Sequence, residues 1–221
     1  MKTRLIDVIG ITFLIIAILI TVFDVIGLNR SFYDRQYQVL NTAENMEMSH
    51  SDLMAATDTL FDYIKDKRDD IHVLVNVKGE TVEMFNQRET DHMVDVKDLY
   101  RGVMLLRTLS FVGFLIIAVI SLRHASRFQL SQTIYKSLWV FFFVIGSIAL
   151  YAVIDFSGFW IVFHKVLFSN DLWLLNPKTD RMINMFPEVF FNRLVLRVLI
   201  GFVSVFIVSL MIGKVLEKSE S

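Results

Sequence analysis

Four long apolar stretches dominate the pattern of the chain, at roughly residues 5–28, 103–122, 134–154 and 189–213. Each is close to the about 20 residues that an α-helix needs to cross the hydrocarbon core of a bilayer. The first is longer than the about 7–15 apolar residues of a cleaved signal peptide, and no small-residue cleavage site follows it. The pattern therefore predicts four transmembrane helices.

The stretch between the first two spans, residues 29–102, has the pattern of a small folded cap. Apolar side chains recur at helical spacing from about Ser51 to Lys67, and Ser49 with Asp52 resembles a capping box just before them. The runs "IHVLVNV" and "TVEMF" flank "KGE" and predict a β-hairpin. The stretch "RETDHMVDVKDLYRG" is predicted to be helical and to continue into the second span.

The connection between the third and fourth spans, residues 155–188, begins with an aromatic segment. Phe156, Trp160, His164 and Phe168 are four residues apart, so they share one stripe of a helix. The run is too short to span a bilayer, and its aromatic content is typical of the membrane–water boundary. We predict a re-entrant or interfacial helix, then a turn at "NPKTD" and the start of the last span at "FPE".

Composition agrees with an integral membrane protein and narrows the available chemistry. The chain has 221 residues, of which 54% are hydrophobic, and its mean hydropathy is +0.53. A net charge of −1 gives no indication of a nucleic-acid partner. The absence of cysteine excludes disulfides, thiolate metal sites and thiol nucleophiles. No HExxH motif, phosphate-binding glycine loop or GxSxG elbow is present, so we expect neither a metal nor a cofactor.

Basic residues near the ends of the spans predict the orientation of the chain. Short cytoplasmic flanks of transmembrane helices carry an excess of lysine and arginine. The residues concerned are Lys2, Arg4, Arg123, Arg127, Lys214 and Lys218. We expect both termini in the cytoplasm and residues 29–102 and 155–188 on the outer side.

The five histidines are the main candidates for acid–base chemistry. His50 and His72 lie in the cap and are expected to be exposed or simply hydrogen-bonded, and His124 should be cytoplasmic. His92 and His164 should both lie at the outer membrane interface although they are distant in sequence. Two histidines at one depth could divide the work, one accepting a proton and the other donating it. Hydrogen-bonded packing remains the alternative.

Charged residues also recur close to these histidines and to the outer ends of the spans. Asp91, Asp95 and Asp171 could orient the imidazoles, or they could be solvated interfacial carboxylates. Ionisable side chains at membrane depth are usually paired or functional, and pairing between spans and a polar floor to a site are equally open. The second group comprises Asp24, Arg107, Asp155, Arg193 and Arg197.

Three stretches, "TDHMVDVKDLY", "FHKVLFSNDLWLLNP" and "DRMINMFPEVFF", resemble the signature sequences of the bacterial lipoprotein intramolecular transacylase (Lit) family. The four-span layout with a cap after the first span is also similar. The resemblance implies an enzyme without a cofactor that acts on a diacylglyceryl-modified lipoprotein. It would move the sn-2 acyl chain to the N-terminal α-amine and give the lyso-form lipoprotein. By motif, His92 and His164 correspond to the two catalytic histidines of the family.

The reaction that the resemblance implies suits this inventory of residues. The attacking amine and the ester belong to one molecule, so no enzyme nucleophile is required. Attack closes a medium-sized ring, so holding the substrate folded is a large part of the task. One histidine would remove the amine proton, and the other would protonate the leaving oxygen or stabilise the oxyanion. The candidates for shaping or polarising the site are Asp95, Asp171, Trp173, Asn176, Trp160 and Arg193.

We therefore predict a mainly α membrane protein of a bacterial cell membrane, with its site at the outer interface. The parts are a first transmembrane helix (1–28), a small α/β extracytoplasmic cap (29–102), the second and third transmembrane helices with a short cytoplasmic loop (103–154), an extracytoplasmic interfacial segment (155–188), and the fourth transmembrane helix with a cytoplasmic tail (189–221). The expected partners are the lipoprotein substrate and membrane lipid, and the oligomeric state is open. The alternatives are a membrane accessory or sensor protein with a ligand-binding cap, and another interfacial lipid acyltransferase.

Overall fold

The computed structural model describes residues 5–123 and 130–220, and four helices in these ranges are long and apolar enough to cross a membrane. They are α1 (Leu5–Gly27), α5 (Gln87–Arg123), α6 (Leu130–Ile154) and α9 (Glu188–Glu220). The prediction of a mainly α, four-span membrane fold is confirmed. Lys2, Arg4 and Arg127, on which part of the orientation argument depends, lie outside the described ranges, as does His124.

The remaining elements are short and fall between these helices. They are α2 (Arg30–Val39), α3 (Thr42–Asn45), α4 (His50–Ile64), β1 (Leu74–Val77), β2 (Glu80–Glu83), α7 (Phe156–Leu167) and α8 (Met182–Met185). The predicted cap helix, β-hairpin and aromatic helix are confirmed as α4, β1–β2 and α7. The helix predicted to run into the second span is confirmed as α5.

The chain divides into two compact units, which we call the span unit and the cap unit. The span unit comprises Met1–Gly27, Gly102–Phe156 and Val195–Ser221. The cap unit comprises Leu28–Arg101 and Ser157–Leu194.

Glycines allow close approach of the helices in the span unit. A Cβ atom at Gly113 of α5 would lie 2.8 Å from the Phe13 ring of α1, and one at Gly201 of α9 would lie 2.6 Å from Ile26. Lipid chains are as apolar as the helix side chains, so the hydrophobic effect does not drive association of transmembrane helices, which rely on such close packing. The absence of side chains at Gly113 and Gly201 therefore allows α5 and α9 to pack closely on α1.

Polar contacts in the span unit join α1 to α5. Ser121 donates a hydrogen bond to the buried carboxylate of Asp7, and Arg107 lies 3.4 Å from Asp24. For Asp24 and Arg107, the structure therefore favours pairing between spans over a polar floor beneath a site.

The hydrophobic core of the cap unit is aromatic and begins in α2, a helix that the sequence pattern did not predict. Asn29 caps this helix by accepting from Phe32 N at 3.0 Å. Tyr33 and Tyr37 are buried against Phe190, with ring centroids 5.0 and 5.8 Å away. The pattern is weak because α2 has only 10 residues and the polar Gln36 is part of its buried stripe.

The β-hairpin follows its predicted turn chemistry. Val75 pairs with Val82 across the antiparallel ladder. Lys78 and Gly79 form the two-residue turn with φ of 57° and 87°, the left-handed conformation that a type I′ turn requires at both positions and that glycine adopts without strain.

The predicted capping box of α4 is only half formed. Ser49 Oγ accepts from Asp52 N at 3.0 Å, as expected for an N-cap. The Asp52 carboxylate accepts instead from Asn76 N at 3.3 Å, so it connects the β-hairpin to α4.

Candidate active site

A capping box at the start of α5 positions the first histidine. Asn86 Oδ1 accepts from Glu89 N at 3.0 Å, and the Glu89 carboxylate accepts from Asn86 N at 2.7 Å. This reciprocal pair satisfies two of the backbone N–H groups that a helix start leaves without partners. His92 follows in the second turn of the helix and is only 8% exposed.

The second histidine lies on the inward stripe of α7. His164 is 7% exposed, and its Nδ1 lies 2.7 Å from the carbonyl oxygen of Trp160. A carbonyl oxygen only accepts, so the proton is on Nδ1. In the neutral ring, the lone pair is therefore on Nε2, which is the atom able to take a proton.

The two histidine rings face each other inside an aromatic enclosure within the cap unit. Their centroids are 6.5 Å apart. Phe168 lies 5.4 Å from the His92 ring and 5.8 Å from the His164 ring. Trp173 stacks on His164 at 4.8 Å, and Trp160 meets its edge at 4.5 Å. The structure thus brings together four of the residues predicted from sequence, and these are His92, His164, Trp160 and Trp173.

Burial determines the charge state of this pair. Desolvation lowers the pKa of His164 below its ordinary value of 6.5. The ring is therefore neutral near pH 7, as a general base must be. The Nδ1 atom of His92 is also buried, and it has no hydrogen-bond partner among the residues that the structure describes.

Asp95 and Asp171 hold the segment that follows α7. Asp95 accepts from Asn170 Nδ2 at 2.8 Å. Arg88 donates to the Asp171 carbonyl oxygen and lies 3.7 Å from its carboxylate. Asn170 in turn accepts from Trp173 Nε1 at 2.9 Å. The structure therefore places both carboxyl groups on contacts between α5 and the segment that contains Trp173, and it shows neither bonded to a histidine ring.

Asn176 and Arg193 lie at two other places in the cap unit. Asn176 donates its backbone N–H to Asp180 Oδ2 at 2.7 Å in the "NPKTD" turn, which confirms the predicted turn. Asp180 also accepts from Asn86 Nδ2 at 2.8 Å. Arg193 donates to Gln36 at 2.8 Å, which joins α9 to α2.

Sequence reasoning missed four residues that connect α5 to the stretch between α7 and α9, namely Asn86, Glu89, Arg88 and Asn170. The N-x-x-E spacing of Asn86 and Glu89 is a recognisable helix-start signal. Arg88 and Asn170 carry no comparable local signal, because their partners are distant in sequence.

The cap histidines outside the enclosure have the ordinary surroundings that were predicted for them. His50 lies 2.8 Å from Asp34, and His72 lies 3.6 Å from Glu83, both with exposed imidazoles. Within residues 5–123 and 130–220, no three His, Cys, Asp or Glu side chains converge in a way that could hold a metal ion.

Comparison with known proteins gives one consistent result. The family described as lipoprotein intramolecular transacylase Lit matches residues 8–191. The search of curated proteins finds no match. The in meso structure of the membrane integral lipoprotein intramolecular transacylase Lit from Bacillus cereus is 21% identical, with 98% of this chain and 96% of that chain covered and a TM-score of 0.82.

Two further structures are variants of the same Bacillus cereus protein. In one, a histidine is replaced by arginine, and the comparison gives 19% identity, coverage of 98% and 92%, and a TM-score of 0.77. In the other, a histidine is replaced by alanine, with 20% identity, coverage of 98% and 94%, and a TM-score of 0.78. At these identities the likeness shows a shared fold.

Proposed function

The chain belongs to the lipoprotein intramolecular transacylase (Lit) family and is an acyltransferase of the membrane, and from this premise we propose which acyl chain it moves and how. The sn-2 ester-linked chain of a diacylglyceryl cysteine passes to the N-terminal α-amine of the same lipoprotein. The product is a lyso-form lipoprotein with one amide-linked and one ester-linked chain. The observation that carries the proposal is the enclosed pair of His92 and His164 with ring centroids 6.5 Å apart.

The tautomer of His164 supports the role of base. Its Nδ1–H is held by the Trp160 carbonyl, so Nε2 accepts the proton that the amine loses on attacking the ester. The N–C bond forms, the C–O bond to the sn-2 oxygen breaks, and the proton ends on that oxygen. His92 faces the base, and its unpartnered Nδ1 is available to the reacting carbonyl or leaving oxygen.

The aromatic enclosure supports a positioning role. Attack closes a medium-sized ring through the cysteine backbone, its sulfur and two glyceryl carbons, and such rings close reluctantly. Stacked and edge-on rings at Trp173, Trp160 and Phe168 offer an apolar surface against which a lipid substrate can fold. Holding amine and ester in contact replaces an entropic cost that free solution would impose.

The surface of α7 supports a location at the membrane interface. Trp160 and His164 are on its inward stripe, while Ile161, Val162 and Val166 point outward and Val166 is 76% exposed. An amphipathic helix with an exposed apolar face is typical of segments that lie in the headgroup boundary. We propose that the site lies at the outer interface of the cell membrane, with both termini in the cytoplasm.

A crossover experiment tests whether the transfer is intramolecular. The full-length protein in phospholipid-free detergent is given two synthetic diacylglyceryl-cysteinyl peptides with different acyl chains. The product is an isomer of its substrate, so intact mass does not change, and tandem mass spectrometry must locate each chain. We expect the free α-amine of each peptide to become acylated by that peptide's own chain, with no exchange of chains between the two peptides. Exchange of chains, or dependence on added phospholipid, would show another lipid acyltransferase, and no conversion would favour an accessory or sensor protein.

The histidine pair is tested by substitution in the same assay. His92→Ala and His164→Ala should each lower the conversion rate by about 10² to 10⁴, the usual contribution of a positioned acid or base. His50→Ala and His72→Ala are matched controls from the cap and should keep the rate of the unaltered protein. Full conversion by both His92→Ala and His164→Ala would contradict the two-histidine mechanism.

A further inference from the structure

Three buried side-chain nitrogen or oxygen atoms have no hydrogen-bond partner within the described part of the chain. They are Thr42 Oγ1, Arg88 Nε and His92 Nδ1. Most buried polar atoms in folded proteins are hydrogen-bonded, so each exception needs a cause. Arg88 and His92 are four residues apart on α5 and so lie on the same helical face. Arg88 Nε and His92 Nδ1 are therefore two buried polar atoms on one face that could both bind a polar group of a substrate.

The guanidinium of Arg88 is fixed in place by its outer end. This end donates to the Asp171 carbonyl oxygen and lies 3.7 Å from the Asp171 carboxylate. The Nε atom of the same plane is buried and has no hydrogen-bond partner among the described residues. A guanidinium nitrogen only donates, and it keeps its charge at every relevant pH. Arg88 therefore presents a positively charged donor, held by its contact with Asp171, one helical turn from His92.

We infer that Arg88 is a further catalytic residue, whose Nε–H binds the carbonyl oxygen of the ester under attack. This inference rests on the proposed function. As the amine nitrogen bonds to the acyl carbon, the π electrons of the carbonyl move to its oxygen. The Arg88 donor stabilises that negative charge until the carbonyl re-forms and the C–O bond to the sn-2 oxygen breaks. The amine proton reaches the sn-2 oxygen through His164.

Arg88 is better suited than the two histidines to stabilise the negative charge on the carbonyl oxygen. His164 Nε2 has to be without a proton at the start of the reaction, so it cannot donate to the oxyanion while acting as base. A donor that is already oriented gives its largest advantage in a site from which water is excluded. The Asp171 contacts provide that orientation, and the buried Nε–H provides the donor.

The experiment measures kcat and KM for the full-length protein on a diacylglyceryl-cysteinyl peptide. Arg88→Gln removes the charged donor. Arg88→Lys keeps a positive charge for Asp171 but lacks the planar guanidinium and its Nε–H. Both variants should lower kcat by about 10² to 10³, the range for an oxyanion donor, with KM changed little. Arg30→Gln, which removes an exposed arginine paired with Asp58 at 2.8 Å, is the matched control and should keep both constants.

The outcomes separate this inference from the proposed function. A lower kcat in an Arg88→Lys variant that keeps the melting temperature of the unaltered protein supports the inference, even if Arg88→Gln does not fold. Full kcat in Arg88→Lys, or a raised KM with kcat kept, overturns it, since Arg88 would then only hold Asp171 or bind the ground state. If His92→Ala and His164→Ala are inactive while the Arg88 variants are not, only the inference fails.

Discussion

At the residue scale, one hydrogen bond within a single helical turn determines which nitrogen of His164 carries the proton. The carbonyl oxygen of Trp160 becomes an acceptor for the ring because the two residues are four apart on α7. Trp173 then covers the ring from another segment, and this burial keeps it neutral. Tautomer and charge state thus come from different causes, one local and one tertiary.

The lowered pKa of His164 predicts the acid limit of the reaction. The base works in its neutral form, so His164 should add a second fall in rate below pH 6.5, beneath the fall caused by protonation of the substrate α-amine, whose ordinary pKa is about 7.7–8.0. Trp173→Ala admits water to the ring, which weakens the desolvation and raises the pKa of His164 toward its ordinary value. We expect this second, more acidic step in the acid limb of the kcat/KM profile to move to higher pH in that variant.

The matched control for this pH shift is Trp139→Ala. Trp139 is an exposed tryptophan of α6 that stacks on Phe143. It belongs to the span unit, whereas both histidines belong to the cap unit. Its removal should leave the acid limb where it is. An acid limb that stays in place, or moves to lower pH, in Trp173→Ala would show that burial by this ring does not control His164.

At the element scale, the residues at the start of α5 cap this helix and also connect it to the segment before α9. Asn86 caps the helix through Oδ1, and its Nδ2 donates to Asp180 at 2.8 Å. Glu89, fully buried, accepts from Asn86 N and from Met182 N. His92 is therefore oriented by a helix end that is itself tied to a distant part of the cap unit.

The two roles of Asn86 are separable by substitution. Asn86→Ala removes the cap and the link to Asp180, and it should lower stability by about 1–2 kcal/mol for the cap alone. Asn86→Ser keeps a capping oxygen but loses the amide donor, so it should cost only about 1 kcal/mol. Thermal unfolding of the protein in detergent measures both. Equal loss in the two variants would show that the cap contributes nothing.

At the scale of the whole molecule, the absence of cysteine makes the proposed orientation directly testable. Glu44 in the cap and Lys218 near the end of α9 are exposed, so single cysteines there should be reactive. A membrane-impermeant maleimide should label Glu44→Cys on intact spheroplasts and Lys218→Cys only after permeabilisation. The unaltered chain is the background control. The reverse pattern of labelling would place the cap in the cytoplasm.

Local physics was enough to predict the four spans, the cap helix, the hairpin turn and the aromatic helix. Each depends on a property of neighbouring residues, such as apolar length, helical or strand periodicity, or a Lys78–Gly79 turn. The helix α2 was not predicted, because its buried stripe is short and includes the polar Gln36, while the packing of Tyr33 and Tyr37 on Phe190 of α9 is not visible in the sequence. Its formation depends on a partner far along the chain.

The candidate site shows the same division between local and tertiary causes. His92 and His164 are unusual in the sequence alone, through the aromatic stripe of α7 and the resemblance of their motifs to one family. Three other features come from tertiary packing: the two rings lie 6.5 Å apart, Asp95 and Arg88 of α5 bind the segment after α7, and Arg88 Nε is buried without a partner among the described residues. Contacts between distant segments depend on how the whole cap unit packs, and no local pattern encodes them.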